Sequence, residues 1–163
     1  EKGMTLSQAG IWTASTIAIG ILGLLIIPGF VKYGYRVKTT SGLLVISAFA
    51  ALGLVTFVGP LMVISLTLLT FCSQLFLPMF ILILMETPGV GSMRMGIAAG
   101  LYFAFAEIGG FVGPLVMGIL RDATGSLEPG YVLVAIVAAL LIPVMPFLIE
   151  NKKEPYAIHN NNA

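Results

Sequence analysis

The chain has 163 residues, of which 58% are hydrophobic and only 9% are charged, and its mean hydropathy is +1.06. Soluble domains carry about 25% charged residues, so this composition excludes an ordinary soluble domain and predicts an integral membrane protein. The net charge of +1 and the lack of a basic run exclude a nucleic-acid surface, so we expect no nucleic-acid partner. The single Cys72 and the single His159 offer neither a disulfide framework nor a metal site.

Five apolar segments in chain order are long enough to cross a bilayer core of about 30 Å, and together they predict an all-α fold. The residue ranges expected for these spans are 6–30, 41–58, 61–85, 94–120 and 130–149. We therefore expect one transmembrane helical bundle over residues 1–150 and a polar, disordered tail over residues 151–163. Gly59-Pro60 separates the second span from the third, and Pro78 is expected to kink the third.

The lysines and arginines are distributed unevenly between the two sides of these alternating spans. One side holds six of the eight, namely Lys32, Arg36, Lys38, Arg94, Lys152 and Lys153. By the positive-inside rule this side is cytoplasmic, so the chain would start outside the cytoplasmic membrane and end inside it. Because the first residues do not resemble a signal peptide, we expect a further helix before residue 1 and interpret the chain as part of a longer protein.

The fourth span contains Glu107, which is the only Asp, Glu, Lys, Arg or His between Arg94 and Arg121. A carboxylate at mid-bilayer costs roughly 3 kcal/mol, and acids in this position are functional by default. We therefore interpret Glu107 as a site for proton or cation coupling, or for direct contact with a substrate. The structural alternative is a protonated carboxyl group that is hydrogen-bonded to a neighbouring helix. The other spans contain no Lys, Arg or His, so a charged partner would have to come from outside this chain.

Small residues accompany Glu107 on its helix. Those within about 20° of Glu107 on an ideal helix are Gly96, Gly100, Pro114 and Gly118. The spacing of Gly96 to Gly100, and of Gly109 to Gly113, is typical of close helix packing, which explains these glycines more simply than a cavity does.

The third span carries polar residues on one face, and Gln74 is the most informative of them. Polar side chains in a membrane commonly join helices, each contributing well under 2 kcal/mol. The functional interpretation is a hydrated path, for which Gln74 is the candidate because its amide both donates and accepts hydrogen bonds.

A longer pattern surrounds Glu107 in the stretch GIAAGLYFAFAEIGGFVGPLVMGILRDATGS. Its residues are Gly109, Gly110, Gly113, Pro114, Gly118, Asp122, Thr124, Gly125 and Ser126. The pattern resembles the eleventh helix and the following loop of the major facilitator superfamily of secondary transporters. The stretch TLSQAGIWTASTIAIGILG is similar to the start of that family's eighth helix. The whole chain therefore resembles the eighth to twelfth helices, which form most of a C-terminal six-helix bundle.

The cytoplasmic loop after the eighth helix of this family typically reads Gly-x-x-x-Asp-Arg-x-Gly-Arg-Arg. Aligned on Gly34, this chain has Val31 at the position of the acid, which argues against a charge-relay role for the loop. We therefore expect the basic loop residues to determine topology and to contact lipid headgroups. These residues are Lys32, Arg36 and Lys38. At the opposite end, Arg121 and Asp122 are expected to form a rim pair that stabilises a turn, with an outside latch as the alternative.

The resemblance implies a transporter that moves a small solute by alternating access, as one bundle rocks against the other. Its partners would be the lipid bilayer, a small-molecule substrate, protons and the remaining N-terminal half, and no cofactor is expected. Residues 86–96 resemble members that handle small organic or inorganic anions, such as cyanate-type permeases. An enzyme is not expected, because the chain lacks a Ser/His/Asp set, a metal cluster and a phosphate loop. The alternative is a non-transporting membrane subunit that assembles through its glycine-rich faces.

Overall fold

The computed structural model describes residues 6–32 and 34–148, and all regular secondary structure in these ranges is helical. The helices are α1 (Leu6–Phe30), α2 (Arg36–Thr56), α3 (Pro60–Glu86), α4 (Gly91–Thr124) and α5 (Glu128–Leu141), and a 3₁₀ helix (Ile142–Phe147) follows α5. The expected polar tail of residues 151–163 lies outside the described residues, as do Lys2, Lys152 and Lys153.

Within the described ranges, five helices are long and apolar enough to cross a membrane, which confirms the expected all-α, multi-pass membrane protein. Large apolar side chains cover the outside of the bundle. Leu25 is 73% exposed, Phe49 71% and Phe147 83%. Exposing this much apolar surface to water is unfavourable, so these side chains contact lipid.

Helix α2 begins at Arg36, whereas the sequence pattern predicts a start at residue 41. The polar residues at its start fit a helix because their hydroxyls donate hydrogen bonds to backbone carbonyls of the preceding turn. Thr40 Oγ1 lies 2.8 Å from the Arg36 carbonyl oxygen, and Ser41 Oγ lies 2.9 Å from that of Val37. Part of the predicted loop of residues 31–40 is therefore the first turn of a membrane helix.

Glycine and proline set the other boundaries. Gly59 has φ 63° and ψ −137°, a conformation open to glycine, and Pro60 follows as the first residue of α3. Helices α3 and α4 continue through Pro78 and Pro114 as single helices. After Leu141, α5 tightens into the 3₁₀ helix, which contains two prolines without N–H groups for α-helical hydrogen bonds.

Helices α2 and α3 form the centre of the bundle. Helix α2 packs against α3 and α5, α3 also packs against α1 and α4, and α4 in turn packs against α5. One buried cluster joins Leu43 of α2 to Leu75 and Met79 of α3. A second cluster joins Leu44 of α2 to Ala138 and Met145 near the end of the chain.

The basic residues of the loops lie at one end of this bundle. Val37 at the start of α2 packs on the cluster of Met145, and Arg36 contacts the last turn of α3, so these helix ends coincide. We call this the basic end, and its described lysines and arginines are Lys32, Arg36, Lys38 and Arg94. Arg121 lies at the opposite end. This grouping agrees with the predicted alternation of spans, while the cytoplasmic assignment of the basic end stays a prediction.

Candidate functional site on the fourth helix

Glu107 lies at the middle of α4, about 24 Å along the helix axis from Gly91. Its side chain is exposed, and it forms no hydrogen bond or ion pair with the described residues. The helix is about 51 Å long, so even a tilted α4 keeps this carboxylate deep in a bilayer core of about 30 Å. Glu107 thus lies at the middle of a membrane helix on a surface that the described helices do not cover.

The exposed surface extends around the whole helix. Every residue from 103 to 115 is exposed, and we call this segment the α4 midsection. Contacts hold the helix on either side of it. Tyr102 lies against Phe80 of α3, with ring centroids 6.1 Å apart, and Met117 fits against Gly130 of α5. The midsection is therefore held at both ends, while its own side chains are exposed at the surface of the described bundle.

The glycines that the sequence singled out on α4 lie on this open surface. A Cβ atom placed on any of them would meet nothing within 4 Å, which applies to Gly96, Gly100, Gly109, Gly110, Gly113 and Gly118. Pro114 is exposed on the same segment. These small residues do not pack against another described helix, so any close contact that they make is to an element outside the described bundle.

The glycines that do pack within the bundle are different ones. Gly23 of α1 lies against the ring of Phe71, and Gly53 of α2 lies against the side chain of Ser65. A Cβ on Gly20 would lie 2.9 Å from Cγ of Gln74. Gly20 and Gly53 were not recognised from the sequence, because both lie in apolar spans with little around them to mark a packing role.

Gln74 therefore lies in the contact between α1 and α3. The stem of its side chain packs on Gly20, and the buried Thr16 lies one turn earlier on the same face of α1. Helices α1 and α4 both pack on α3 but not on each other. The contact of Gln74 is thus with α1, separate from the surface of Glu107, and its role in transport stays a prediction.

Sequence reasoning missed Glu86, the last residue of α3. Its side chain is fully buried and pairs with Arg36, whose Nη1 lies 2.5 Å from Glu86 Oε1. Arg36 Nη1 also donates a hydrogen bond to the Leu82 carbonyl oxygen at 3.3 Å. The available signal was an acid at the end of one span and an arginine at the start of the antiparallel span before it.

This pair separates Arg36 from the other two basic loop residues. Only 13% of the Arg36 side chain is exposed, whereas Lys32 and Lys38 are exposed. The Lys38 ammonium group lies 5.5 Å from the centre of the Tyr35 ring. Arg36 joins α2 to α3, and the lysines are left at the surface.

At the opposite end, Arg121 and Asp122 are exposed in the last turn of α4. Hydrogen bonds of the residues that follow them also stabilise the turn. Gly125 has a φ of 72°, and its N–H donates a hydrogen bond to the Arg121 carbonyl oxygen at 2.7 Å. The Glu128 N–H donates to Ser126 Oγ at 3.1 Å, which starts α5. The Arg121 carbonyl thus takes part in the turn, and the rim pair of Arg121 and Asp122 stays a prediction.

Comparison of the chain with protein-family models, with curated proteins and with solved structures found no match. The resemblance to the major facilitator superfamily therefore stays a prediction from the quoted motifs. Length and hydropathy of the helices establish a multi-pass membrane protein, and its candidate site is the carboxylate of Glu107 on the open α4 midsection.

Proposed function

We propose that this chain forms most of the C-terminal helical bundle of a secondary transporter, which moves a small solute by alternating access and uses Glu107 for proton coupling. The observation that carries the proposal is the exposed Glu107 carboxylate at the middle of a membrane helix. Intramembrane acids of this kind mark ion or substrate pathways.

Lipid is an unsuitable neighbour for this group. A carboxylate facing hydrocarbon costs roughly 3 kcal/mol on insertion scales, and more by other estimates. The cost falls if the group meets water, a cation or a hydrogen-bond donor, or if it binds a proton. A surface that needs water or a polar partner at mid-membrane is typical of a transport cavity between two bundles.

The open glycines of α4 are consistent with this arrangement. Small residues let another helix, or a substrate, approach the backbone near Glu107 closely. The partner that we propose is the N-terminal half of the same transporter, as the resemblance implies. A small organic or inorganic anion is the proposed substrate, and the basic end is proposed to face the cytoplasm.

The test is uptake by the full-length protein in proteoliposomes, over a panel of small anions and metabolites, with and without a pH gradient. Glu107→Gln keeps the size of the side chain and removes its charge. We expect the variant to exchange substrate across the membrane but to lose accumulation driven by the gradient. Glu128→Gln, at an exposed acid in the first turn of α5, is the matched control.

The competing function is a non-transporting membrane subunit. The open glycine surface of α4 also suits assembly with other helices. A full-length protein that moves no member of the panel, yet co-purifies with other membrane proteins through α4, would favour the subunit. Equal gradient-driven accumulation by the wild type and Glu107→Gln would remove Glu107 from the coupling step.

A further inference from the structure

We propose that a cleft at the basic end, between the end of α1 and the start of α2, binds the headgroup of an anionic phospholipid. The cleft is shallow and open, with a volume of about 500 Å³. It is lined by Phe30, Val31, Lys32, Tyr35 and Thr39.

The charge of the cleft is the first argument. Lys32 lines it and Lys38 extends beside Tyr35, and neither lysine forms an ion pair with a described residue. Among the described residues, Glu86 is the acid at the basic end, but its side chain is fully buried against Arg36. The two ammonium groups therefore face the surface without a neutralising carboxylate from the described chain, and they attract an anion.

The position of the cleft in the membrane selects a lipid over a soluble anion. Phe30, the last residue of α1, is 82% exposed, and Ile26 one turn earlier is 54% exposed. Apolar side chains at this depth contact acyl chains, while Tyr35 and the lysines lie at the level of the headgroups. A ligand with a negative headgroup and an acyl chain can contact both kinds of surface at once.

Arg36 does not take part in this site, although it belongs to the same basic segment. Its guanidinium pairs with Glu86 and contacts the Leu82 carbonyl, both on α3. Only the fold makes this division, since the sequence offers three equivalent basic residues. The site thus depends on Lys32 and Lys38, and we expect both ammonium groups to contact the same headgroup.

The test uses the full-length protein in detergent, titrated with phosphatidylglycerol, with binding followed by native mass spectrometry. A lysine near an anionic headgroup contributes a free energy that corresponds to about fivefold in affinity, so Lys32→Gln with Lys38→Gln should weaken binding about 30-fold. Lys32→Arg with Lys38→Arg should retain the affinity. Arg94→Gln at the basic end and Arg121→Gln at the opposite end are the controls, and both should bind as the wild type does.

Three results would overturn the proposal. The first is a double glutamine variant that binds phosphatidylglycerol as tightly as the wild type. The second is equal affinity for phosphatidylcholine, which would show that the headgroup charge is not recognised. The third is equal affinity for glycerol phosphate, which has the same anionic group without acyl chains and would identify a site for soluble anions. Circular dichroism of each variant confirms that the helices are intact.

Discussion

Arg36, the first residue of α2, pairs with Glu86, the last residue of α3, and the Glu86 side chain is fully buried. The pair fixes the ends of two adjacent antiparallel helices at the basic end. Removing one partner of a buried ion pair leaves the other charge without compensation and costs far more than the intact pair contributes.

Glu86→Gln should therefore lower the free energy of unfolding by about 3 kcal/mol, because the largely buried Arg36 guanidinium loses its counter-charge. The measurement is equilibrium unfolding in mixed SDS micelles. Asp122→Asn, at an exposed acid, should change the stability by less than about 0.5 kcal/mol. Replacing both Arg36 and Glu86 by Met should cost less than either single change. If Glu86→Gln and Asp122→Asn changed the free energy of unfolding equally, the Arg36–Glu86 pair would not stabilise the bundle.

Gly23→Ala should destabilise the contact between α1 and α3 by about 1–3 kcal/mol, because the added methyl group overlaps the Phe71 ring. The same unfolding assay measures it. Gly42→Ala on α2 is the control, since a Cβ there meets nothing within 4 Å. Phe71→Leu should restore part of the stability in the Gly23→Ala background. If it does not, the overlap with the Phe71 ring is not the cause of the loss.

Gly100→Leu should leave the packing of this bundle intact, because a Cβ at this position meets no described atom within 4 Å. In the full-length protein we expect uptake to fall about tenfold or more, since overpacking against a partner costs about 1–3 kcal/mol. Gly42→Leu is again the matched control on an exposed glycine. Normal uptake by Gly100→Leu would show that no partner approaches α4 at this point.

Cys72 should be protected from labelling in the native protein, because it is 1% exposed in the cluster of α2 and α3. A membrane-permeant maleimide should react at least roughly tenfold more slowly with the folded protein than with the SDS-denatured one, since labelling requires local opening. Rapid labelling of the folded protein would indicate that α2 and α3 are not closely packed. The Glu86→Gln variant should be labelled faster than the wild type.

Much of the fold was predictable from local sequence. The five spans follow from hydropathy, and Gly59-Pro60 marks the turn between α2 and α3 because glycine reaches a positive φ and proline starts a helix well. The start of α2 at Arg36 was not predictable in this way. Polar residues at a helix end resemble a loop until their hydroxyl and charge partners are known.

For the candidate site too, some features follow from the sequence and others only from the tertiary structure. Sequence alone determined that Glu107 lies at mid-span among small residues, because depth in a helix follows from its length. Only the tertiary structure decided that α4 stands open around Glu107, while Gly23 and Gly53 pack within the bundle. It also decided that Arg36 is paired and Lys32 is left exposed. The physical reason is that Arg36 and Glu86 are distant in the chain and meet only when α2 packs against α3, and no local pattern encodes that contact.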